Sequence, residues 1–474
     1  MKTSTQKQEI SDLFEKQRQQ SFLLRSQPIA FRKEKLKRLL KWVLLNRHQI
    51  HEALRDDLGR SATDTDIVEV FPVTKEIRLA LRHLNEWTRD LSVNSGLLYI
   101  GTTSHIKYEP KGVCLIIAPW NFPFNLVLVP LISALAAGNT VILKPSEYTP
   151  ATSRLIKHMT EACFVKEEVA VVEGAVTETQ ILLSLPFNHI FFTGSTAVGK
   201  IIMASASKHL ASITLELGGK SPVIVDETAD IHDAARKIVW GRFVNCSQTC
   251  LSPDYILAHE NIKEELIQAL IAHTKSIFDS KGGGFDQTHD YSRLIHERHT
   301  SRLVELMNEA VALGAKIKFG GKYQISSRFF EPTILCDVDV KTRIWNEEIF
   351  GPVLPINGYS DLNNAIEHIN LQPKPLSIYL FSRSKAVQRS VERLTSSGSL
   401  VINDVVLQYS HPNLPFGGVN HSGIGKSHGF AGFKDFSNEK SVLRQRIGIT
   451  NAMPFYPPFS SWKKKLVDLA IKYF

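Results

Sequence analysis

The stretch GVCLIIAPWNFPFNLVLVPLISALAAGNTVILKPSE, residues 112–147, decides the fold of this chain. It is uncharged as far as Thr140 and long enough to imitate a membrane span, but Pro119, Pro123 and Pro130 interrupt it. We interpret it as a strand over residues 113–118, a loop, a buried helix and a second strand over residues 140–143.

The same alternation of short apolar strands and helices continues along the chain. It predicts further strands at residues 169–172, 189–192 and 213–217, and a second series at residues 221–225, 254–259, 354–359, 376–381 and 399–403. This rhythm predicts an α/β protein with two doubly wound parallel-sheet domains. Before the first strand, amphipathic helices are predicted near residues 32–58 and 66–91, and residues 92–108 predict a small projecting hairpin.

Composition and charge exclude several classes of protein. The 474 residues are 43% hydrophobic, which is enough for two or three domains with sizeable cores. The net charge is +9, but basic and acidic residues are interspersed and no nucleic-acid module is recognisable, so we predict no nucleic-acid partner. Residues 1–20 are polar and lack the apolar core of a secretory signal, which favours a cytoplasmic location.

Two short stretches carry groups that can perform covalent chemistry. NCSQTCLSP, residues 245–253, contains Cys246 and Cys250, and LELGGKSP, residues 215–222, contains Glu216. A thiol nucleophile and a carboxylate base are the minimum needed to form a thioester and then hydrolyse it. The two cysteines lack the neighbouring Cys or His ligands of a zinc site, so we predict no metal. The odd total of five cysteines argues against a disulfide framework.

A glycine turn follows the strand predicted at residues 189–192. The sequence FTGSTAVGK, residues 192–200, nearly matches a P-loop, but Ile201 stands where a Ser or Thr hydroxyl would hold magnesium. The sequence also does not match the G-x-G-x-x-G fingerprint of the usual dinucleotide fold. Gly194 and Ser195 therefore form either a packing turn or a helix N-terminus that binds a pyrophosphate.

Several blocks, in the same order along the chain, resemble the NAD(P)-dependent aldehyde dehydrogenase superfamily as far as about Arg446. They are PWNFP at 119–123, LKPSE at 143–147, the Gly194 turn, LELGGKSP at 215–222, NCSQTCLSP at 245–253, EEIFGP at 347–352 and PFGG at 415–418. The short region before the first sheet, the sequence around Cys250 and LPI at 354–356 most resemble the class 3 branch. That branch includes fatty and aromatic aldehyde dehydrogenases and is commonly dimeric.

The resemblance implies a catalytic role for three residues and NAD or NADP as the cofactor. Cys250 would attack the aldehyde carbonyl, and its backbone amide together with the Asn121 side chain would hold the oxyanion. Glu216 would activate the water that hydrolyses the thioester. The other cysteines keep the prediction of buried structural thiols. The residues implied in cofactor binding are Trp120, Lys144, Glu147, Gly194, Ser195, Gly199, Leu217, Gly218, Glu348 and Phe350.

The cofactor-binding positions divide by the part of the cofactor that they would hold. Lys144 and Glu147 would bind the adenosine ribose, and Ser195 the pyrophosphate. Glu348 would grip the nicotinamide ribose while Phe350 packs beside it. Glu147 would repel the 2′-phosphate of NADP if it points at that ribose, yet class 3 relatives often accept both cofactors, so the choice between them stays open.

The resemblance also implies a division into domains and a homodimer. Residues 1–91 and 109–217 would form the dinucleotide-binding domain, and residues 218–430 the catalytic domain. Residues 92–108 and 431–447 would form an oligomerisation element, in which the hairpin and a strand near residues 441–445 bridge the dimer.

The predicted function is oxidation of a small-molecule aldehyde, medium- or long-chain aliphatic or aromatic, to the carboxylic acid. One alternative is a coenzyme A-acylating enzyme, against which Glu216 argues because that reaction needs no activated water. Another is a catalytically silent structural or membrane-associated homologue, against which the intact catalytic residues argue. The family usually has glycine at Ser247, which is close enough to Cys250 that an added side chain could narrow the nucleophile loop or alter access to it, and Gly-Asn where Asn420-His421 stand here.

Residues 448–474 lie beyond the resemblance and end in a short amphipathic segment. Apolar residues at positions 462, 466, 469, 470 and 473 fall on one helical face, and lysines cover much of the rest. The segment is too short and too charged to span a bilayer. Three interpretations remain open: a helix packed on this protein or its dimer partner, a lid over the substrate entrance, and a helix that lies on a membrane surface.

Overall fold

The chain folds into two mainly parallel sheets flanked by helices, with smaller sheets beside them. The computed structural model describes residues 2–96, 99–448 and 450–473. The strands are β1 (Leu91–Ser92), β2 (Thr102–Pro110), β3 (Val113–Ile117), β4 (Thr140–Lys144), β5 (Val169–Val171), β6 (His189–Gly194), β7 (Ser212–Leu217), β8 (Pro222–Val225), β9 (Tyr255–His259), β10 (Lys316–Phe319), β11 (Tyr323–Gln324), β12 (Phe329–Phe330), β13 (Thr333–Cys336), β14 (Val353–Tyr359), β15 (Ser377–Phe381), β16 (Ser399–Ile402), β17 (Gly423–Ile424) and β18 (Ser437–Gln445).

The α-helices alternate with these strands over most of the chain. They are α1 (Lys2–Arg25), α2 (Ile29–Leu45), α3 (Arg47–Leu58), α4 (Ala62–Thr65), α5 (Phe71–Trp87), α6 (Asn125–Ala137), α7 (Pro150–Cys163), α8 (Val176–Leu183), α9 (Thr196–Ala206), α10 (Ile231–Phe243), α11 (Lys263–Phe278), α12 (Glu297–Ala312), α13 (Arg343–Asn346), α14 (Leu362–Leu371), α15 (Lys385–Leu394), α16 (Gly429–Asp435) and α17 (Ser461–Tyr473).

The helical region before the first sheet differs from its prediction. The single helix predicted over residues 32–58 is two helices, because the Asn46 side chain donates to the Trp42 carbonyl at 2.8 Å and ends α2. Gly59, with φ of +66°, ends α3. The helix predicted over residues 66–91 is also wrong at both ends: Asp66–Val70 is a π-helical turn, and the chain leaves α5 after Trp87.

The first helix, α1, is not predicted from the sequence because its composition is mostly polar. Its few apolar side chains are nevertheless placed on one face: Ile10, Phe14 and Leu24 are buried. Phe14 packs edge-on against Phe187, with ring centroids 5.0 Å apart. The helix therefore gains its stability from covering the first sheet rather than from its own propensity.

The first sheet has six strands in the order β17-β7-β6-β3-β4-β5. The predicted strands of this region are present, each within two residues of its predicted bounds, and β3 through β7 pair in parallel. The uncharged stretch of residues 112–140 forms β3, a loop and α6. Nearly all side chains of α6 are buried, which fits a helix that is apolar on every face. In the described part of the chain, no helix is long and apolar enough to cross a membrane.

The second sheet has seven strands in the order β10-β13-β14-β9-β8-β15-β16. All strands predicted for this region are present within one residue of their predicted bounds. The sequence did not predict β10, an exposed edge strand that alternates with lysines and pairs antiparallel, or the four-residue β13. The prediction of two doubly wound parallel-sheet units is confirmed.

A three-stranded antiparallel sheet, β1-β2-β18, projects from these layers. β1 pairs with β2 where the hairpin is predicted, although residues 97 and 98 of that hairpin lie outside the described residues. β18 pairs with β2 along its whole length, from Ser437 opposite Pro110 to Gln445 opposite Thr102. The predicted hairpin therefore has the partner strand that it needs, and the strand predicted near residues 441–445 begins earlier, at Ser437.

The motif residues cluster where parallel strands end. Asn121 lies just after β3, Lys144 ends β4, Gly194 ends β6 and Glu216 is the second-last residue of β7. The carboxyl ends of parallel strands share one edge of a sheet, and ligands of open α/β sheets bind in the crevice beyond that edge. The fold therefore gathers these residues, which are far apart in sequence, at one site.

Candidate active site

Cys250 is carried by a sharply bent loop that follows α10. Asn245, Cys246 and Ser247 have φ values of +51°, +53° and +60°, a left-handed region that residues with side chains rarely enter. The turn reverses the chain so that Cys250 is half-buried at the end of two cavities. Cys246 is fully buried and its thiol donates to the Tyr291 hydroxyl at 3.4 Å, so it is a structural residue, as predicted.

Ser247 does not narrow the loop beside Cys250. Ser247 has a left-handed backbone, a conformation that glycine enters more easily than any residue with a side chain, and this accounts for the usual glycine at this position. The Ser247 hydroxyl donates to the carbonyl of Arg242 at the end of α10, so the side chain is turned toward that helix. It is buried and lines neither of the cavities that reach Cys250.

Two carboxyl groups influence the Cys250 thiol. Burial, followed by the carboxyl groups of Glu348 and Glu216, raises the pKa of Cys250 to about 12. The backbone N–H groups of Cys250 and Leu251 donate to the sulfur and lower this pKa, but by less. Without cofactor the sulfur is therefore a protonated thiol, and its activation requires a base.

Glu216 has the environment of a general base. Its carboxylate Oε1 accepts a hydrogen bond from the Ser427 hydroxyl at 3.1 Å, and Oε2 is buried without a partner among the described residues. Burial raises the pKa of Glu216 to about 8, while Ser427 and the charge of Lys426 oppose the rise. A carboxyl group that titrates near neutral pH can both accept and release a proton during turnover.

A small cavity of about 30 Å³ lies between the nucleophile and this base. Cys250 and Glu216 both line it, together with Leu217 and Ser427. A water molecule occupies about 30 Å³ in the liquid, so this cavity has room for one water beside the unpartnered Oε2. The geometry suits a water that attacks a carbonyl carbon attached to Cys250.

A second cavity, of about 210 Å³, leads from Cys250 to the surface, and we call it the tunnel. Most of its lining is apolar, and it includes Phe122, Leu126, Trp240 and Leu251 near the nucleophile. The mouth of the tunnel carries the exposed apolar side chains of Ile67, Phe71 and Leu407. Pockets of this kind bind apolar ligands through buried area, with few polar contacts.

Asn121 is attached to the nucleophile loop. Its side-chain Nδ2 donates to the Gln248 carbonyl at 3.0 Å, and its own carbonyl accepts from Asn245 Nδ2 at 3.0 Å. Nδ2 carries two hydrogens, so one remains to donate to an oxyanion formed at Cys250. The contacts to residues 245 and 248 place Asn121 beside the loop that it is predicted to assist.

A buried arginine that the sequence did not identify holds this arrangement together. Arg60 pairs with Glu69 at 2.6 Å and donates to the Asn121 carbonyl at 2.8 Å and to Asn245 Oδ1 at 2.6 Å. It therefore joins the loop after β3 to the nucleophile loop. A single arginine after a helix-ending glycine has no sequence signature, because its partners lie up to 185 residues away.

The residues predicted for the adenosine ribose lie together after β4. Lys144 is buried, and its ammonium donates to the Pro145 carbonyl at 2.8 Å and lies 3.9 Å from Glu147. Burial lowers the pKa of Lys144, and the charges of Glu147 and Glu178 oppose this change. The less buried Glu147 leaves its carboxylate accessible to a ribose hydroxyl.

The glycine turn forms the N-terminus of α9. Ser195 is the N-cap residue, and its hydroxyl oxygen accepts from the Val198 N–H at 3.4 Å. A Cβ at Gly199 would lie 2.8 Å from Leu217, so glycine here lets α9 approach β7 closely. The turn at Gly194 thus has a packing role, and its helix N-terminus is also suited to an anion.

The turn before β17 contains the second departure from the family pattern. Asn420 has φ of +55°, which asparagine tolerates better than most residues, and forms a bridge with Gly423. The His421 carbonyl accepts from Thr196 at 2.9 Å, so this turn contacts α9. Asn420-His421 therefore supports the turn rather than disrupting it.

Glu348 approaches the glycine pair after Glu216. A Cβ at Gly218 would lie 2.1 Å from Glu348 Oε2, and the Gly219 N–H donates to the same carboxylate. Its other oxygen, Oε1, is buried without a partner among the described residues, and burial raises the pKa of Glu348 to about 8. Beside it, the Phe350 ring meets Trp120 edge-on at 5.4 Å.

Two residues of α12 hold the loop of Glu348, and the sequence did not identify them either. Arg302 donates to the carbonyls of Glu348 and Ile349 at 2.7 and 2.8 Å, and His299 contacts the Phe350 carbonyl at 2.7 Å. Phe350 has φ of +52°, so these contacts stabilise a strained backbone.

The residues present fit NAD or NADP. The unpartnered Oε1 of Glu348 is a free acceptor for a ribose hydroxyl, and Trp120 and Phe350 supply aromatic walls. Because Gly218 has no side chain, the space beside the Glu348 carboxylate stays clear. When bound, the cofactor supplies the hydride acceptor.

The fold and the site together define an oxidoreductase that combines a thiol nucleophile with a dinucleotide cofactor. The aldehyde dehydrogenase family model matches residues 2–442, and the chain belongs to this family. It therefore catalyses NAD(P)-dependent oxidation of aldehydes, which confirms the function, enzyme class and cofactors predicted from the sequence.

The curated relatives and solved structures agree with this assignment over nearly the whole chain. The 4,4′-diaponeurosporen-aldehyde dehydrogenase of Staphylococcus aureus is 46% identical, covering 91% of this chain and 92% of the relative. The dimeric NADP-preferring aldehyde dehydrogenase of Mus musculus is 41% identical, covering 92% and 94%. A substrate-bound structure of Staphylococcus aureus AldH superposes with a TM-score of 0.93 at 42% identity, covering 98% of this chain and 99% of that one.

Proposed function

We propose that this enzyme oxidises medium- or long-chain aliphatic or aromatic aldehydes through a thioester on Cys250. The observation that carries the proposal is the apolar tunnel, about 210 Å³ in volume, which reaches Cys250 from an apolar surface. An aldehyde with a long apolar chain would bury that chain in the tunnel and present its carbonyl to the sulfur. The name of the 46% identical Staphylococcus aureus relative refers to 4,4′-diaponeurosporen-aldehyde, which supports an apolar substrate here.

Each proposed catalytic residue has one task. Cys250 releases its proton to solvent water through the tunnel and attacks the carbonyl carbon, while its N–H and Asn121 Nδ2 stabilise the oxyanion. Hydride leaves the substrate carbon, and a thioester remains. Glu216 then takes a proton from the water in the small cavity, the hydroxide adds to the thioester, and Cys250 is released with the carboxylic acid.

A chain-length series tests the substrate class. Each CH₂ group buried contributes about 0.8 kcal/mol, so kcat/KM should rise about fourfold for each added carbon until the tunnel is filled. Phe71→Ser at the tunnel mouth should reduce this dependence, whereas Leu371→Ser, at a fully separate exposed site, should not. An enzyme that shows no preference between short and long aldehydes would contradict the proposal.

Two variants test the catalytic assignment. Cys250→Ala should abolish NADH formation, because none of the other cysteines lines the cavities at the active site. Glu216→Gln should still form NADH once per site and then accumulate the thioester. Coenzyme A would accelerate turnover of wild type if the acylating alternative were correct, and wild type would form no NADH if the chain were catalytically silent.

We also propose that the ten cofactor-binding residues named above act as the resemblance implies. Glu147 is the residue that would discriminate between the two cofactors, since its carboxylate would repel a 2′-phosphate. Kinetics with NAD and with NADP should show that Glu147→Ala improves the use of NADP relative to NAD. Equal effects on both cofactors would place Glu147 away from the 2′ position.

We propose a cytoplasmic homodimer with the domain division given by the resemblance. The bridging element of residues 92–108 and 431–447 contains Ser92 of β1, most of β2 and all of β18, and β18 is an edge strand whose side chains are mostly exposed. An exposed edge strand of this length offers unpaired N–H and C=O groups to a strand of another chain. Sedimentation of wild type and of a Leu443→Lys variant, changed at an exposed position of β18, tests the dimer.

The tail remains open to its three interpretations. The structure has α17 at Ser461–Tyr473 with none of its described side chains fully buried, and Trp462, Leu466 and Leu469 are exposed. We propose that α17 covers an apolar surface, either at the tunnel mouth or on a membrane. Removal of residues 457–474 should weaken activity toward long aldehydes in the first case and abolish salt-sensitive binding to anionic vesicles in the second. If neither changes, α17 is a packing element.

A further inference from the structure

A nearly buried lysine, Lys220, lies next to the glycine pair that the Glu348 carboxylate approaches. Only 9% of its side chain is exposed, and its ammonium lies 2.7 Å from Asp254 Oδ2. The same ammonium donates to the carbonyls of Ile344 and Glu347 at 2.8 and 3.1 Å. Ile344 belongs to the short helix α13, whose last carbonyls have no partner within the helix. Lys220 therefore binds the backbone that leads directly into Glu348.

Asp254 connects Lys220 to a second buried cation. The other oxygen of Asp254, Oδ1, accepts from the Arg242 guanidinium at 3.2 Å. Arg242 is fully buried and donates to the carbonyls of Gly351 and Val353 at 2.6 and 2.5 Å. Both carbonyls come after residue 348, whereas Lys220 binds before it, so one connected set of charges holds this loop at both ends.

The three charged residues come from the segments that carry the catalytic groups. Lys220 lies just after β7, which contains Glu216. Arg242 is in the last turn of α10, directly before the nucleophile loop, and Asp254 directly follows that loop. The network therefore joins the segments of the base and the nucleophile to the loop of Glu348.

Glu348 must be both placed and ionised to accept a strong hydrogen bond from a ribose hydroxyl. Its Oε1 is buried without a partner among the described residues. Burial raises the pKa of Glu348 most, and the charge of Asp254 raises it further, whereas the charge of Lys220 lowers it. Lys220 therefore offsets the nearby charge that opposes the ionised carboxylate, in addition to holding its loop.

We propose that Lys220 is a positioning residue for Glu348: by holding the backbone before it, the ammonium keeps the carboxylate in place for the nicotinamide ribose. The proposal rests on the proposed cofactor-binding role of Glu348. Lys220 acts through the loop, since its ammonium already serves one carboxylate and two carbonyls, and it has three hydrogens to donate. A lysine with a structural role alone would affect the free energy of unfolding and leave the affinity for the cofactor unchanged.

Two lysine variants test the positioning role. Lys220→Met removes the ammonium and retains an apolar stem, and Asp254 keeps its ion pair with Arg242, so no carboxylate is left buried and unpaired. Lys35→Met is the matched control, because Lys35 also exposes 9% of its side chain and lies 2.8 Å from a carboxylate, that of Glu168. Glu168 directly precedes β5, at the amino-terminal edge of the first sheet, whereas the candidate site lies at the opposite edge.

The readouts are the Kd values of NAD and of NADP, measured by calorimetric titration, and the stability toward urea. Both variants should be less stable than wild type, because each loses a nearly buried ion pair. Lys220→Met should raise the Kd of the cofactor about tenfold or more, as expected when a hydrogen bond to a charged acceptor is lost. Lys35→Met should leave the Kd within about twofold of the wild-type value.

Alkylation of Cys250 by iodoacetamide, without cofactor, checks that Lys220→Met leaves the rest of the site intact. The other four cysteines are buried, so the reaction reports on Cys250. Arg242 and Asp254 still hold the two ends of the nucleophile loop in this variant. The rate of alkylation should therefore stay within about twofold of the wild-type rate, because the reactivity of a thiol follows its local environment.

Glu348→Gln shows whether the effect of Lys220→Met passes through Glu348. The double variant Lys220→Met, Glu348→Gln should bind the cofactor within about twofold of Glu348→Gln alone, because the loop then has no carboxylate to position. If the effects of the two substitutions on the Kd multiply instead, Lys220 acts elsewhere and the proposal is overturned.

Other results would also overturn the positioning role. A Kd of Lys220→Met within about twofold of wild type, an equal rise in Lys35→Met, or a matching change in the alkylation of Cys250 would leave Lys220 as a structural residue. If Lys220→Met does not fold, Lys220→Gln, which retains an N–H donor, is measured in the same way, and a wild-type Kd then refutes the proposal. If Glu348→Gln leaves the Kd unchanged, the proposed ribose contact itself fails; an effect of Glu348→Gln without one of Lys220→Met overturns the positioning role alone.

Discussion

Replacing Asn121 by alanine tests whether its side-chain amide stabilises the oxyanion or only supports the nucleophile loop. In the structure, Asn121 Nδ2 donates to the Gln248 carbonyl at 3.0 Å, but that carbonyl also accepts from Asn245 Nδ2 at 3.1 Å. The contacts from Arg60 and Asn245 to residue 121 are made to its backbone carbonyl, which alanine retains. The substitution therefore leaves no described buried group at this position without a partner.

These contacts fix the expected magnitudes. Loss of one hydrogen bond to a carbonyl that keeps a second donor should lower the free energy of unfolding by about 1 kcal/mol. Loss of an oxyanion donor costs about 2.7–4 kcal/mol in the transition state, which is about a hundred- to a thousandfold in rate. Asn121→Ala should therefore slow thioester formation far more than it destabilises the protein.

Rapid mixing of enzyme, cofactor and aldehyde measures the rate of the first turnover, and denaturant unfolding measures stability. Asn357→Ala is the control. The side-chain amide of Asn357, on β14, makes two hydrogen bonds with the backbone of Val338, and their loss should affect stability alone. A first-turnover rate of Asn121→Ala within about threefold of wild type would refute the oxyanion assignment. So would a change confined to the affinity for the cofactor.

The structure yields further predictions. Thioester hydrolysis should become faster as pH rises through about 8, because Glu216 acts as a base only when ionised; a rate independent of pH between 6 and 9 would exclude it. Ser247→Gly should change the free energy of unfolding by less than about 1 kcal/mol, since relief of left-handed strain offsets the lost hydrogen bond, whereas Ser247→Ala should be clearly less stable. Arg60→Met should lower the free energy of unfolding by about 3–5 kcal/mol, because the buried Glu69 carboxylate loses its paired charge. In urea unfolding, the double variant Arg60→Met, Glu69→Gln should recover part of that loss, and additive effects of the two substitutions would show that the pair is not coupled.

Most strands of the two large sheets could be predicted because each of these is a short apolar run bounded by turn residues. The sequence did not predict α1, because Ile10, Phe14 and Leu24 are isolated among polar residues and their burial depends on the sheet that they cover. The edge strand β10 was missed because it has only four residues, KIKF, and alternation over so short a run is a weak signal. Local sequence therefore identified the longer apolar strands of both sheets, and it missed the exposed β10 and also the short buried β13.

The same limit applies to the site. Cys250, Glu216 and Asn121 lie in motifs, and the structure brings them to one edge of the first sheet. Arg60, Arg302 and Ser427 act through contacts with residues far away in sequence, so no local pattern could reveal them.

The carboxyl groups beside Cys250 have a consequence for the enzyme between turnovers. Alkylating agents and peroxides react with thiolates far faster than with thiols. Burial and the carboxyl groups of Glu348 and Glu216 favour the protonated sulfur, so the Cys250 thiol of the resting enzyme reacts more slowly with oxidants than a thiolate would. The enzyme thereby preserves its nucleophile between turnovers, until the thiol loses its proton for the next attack.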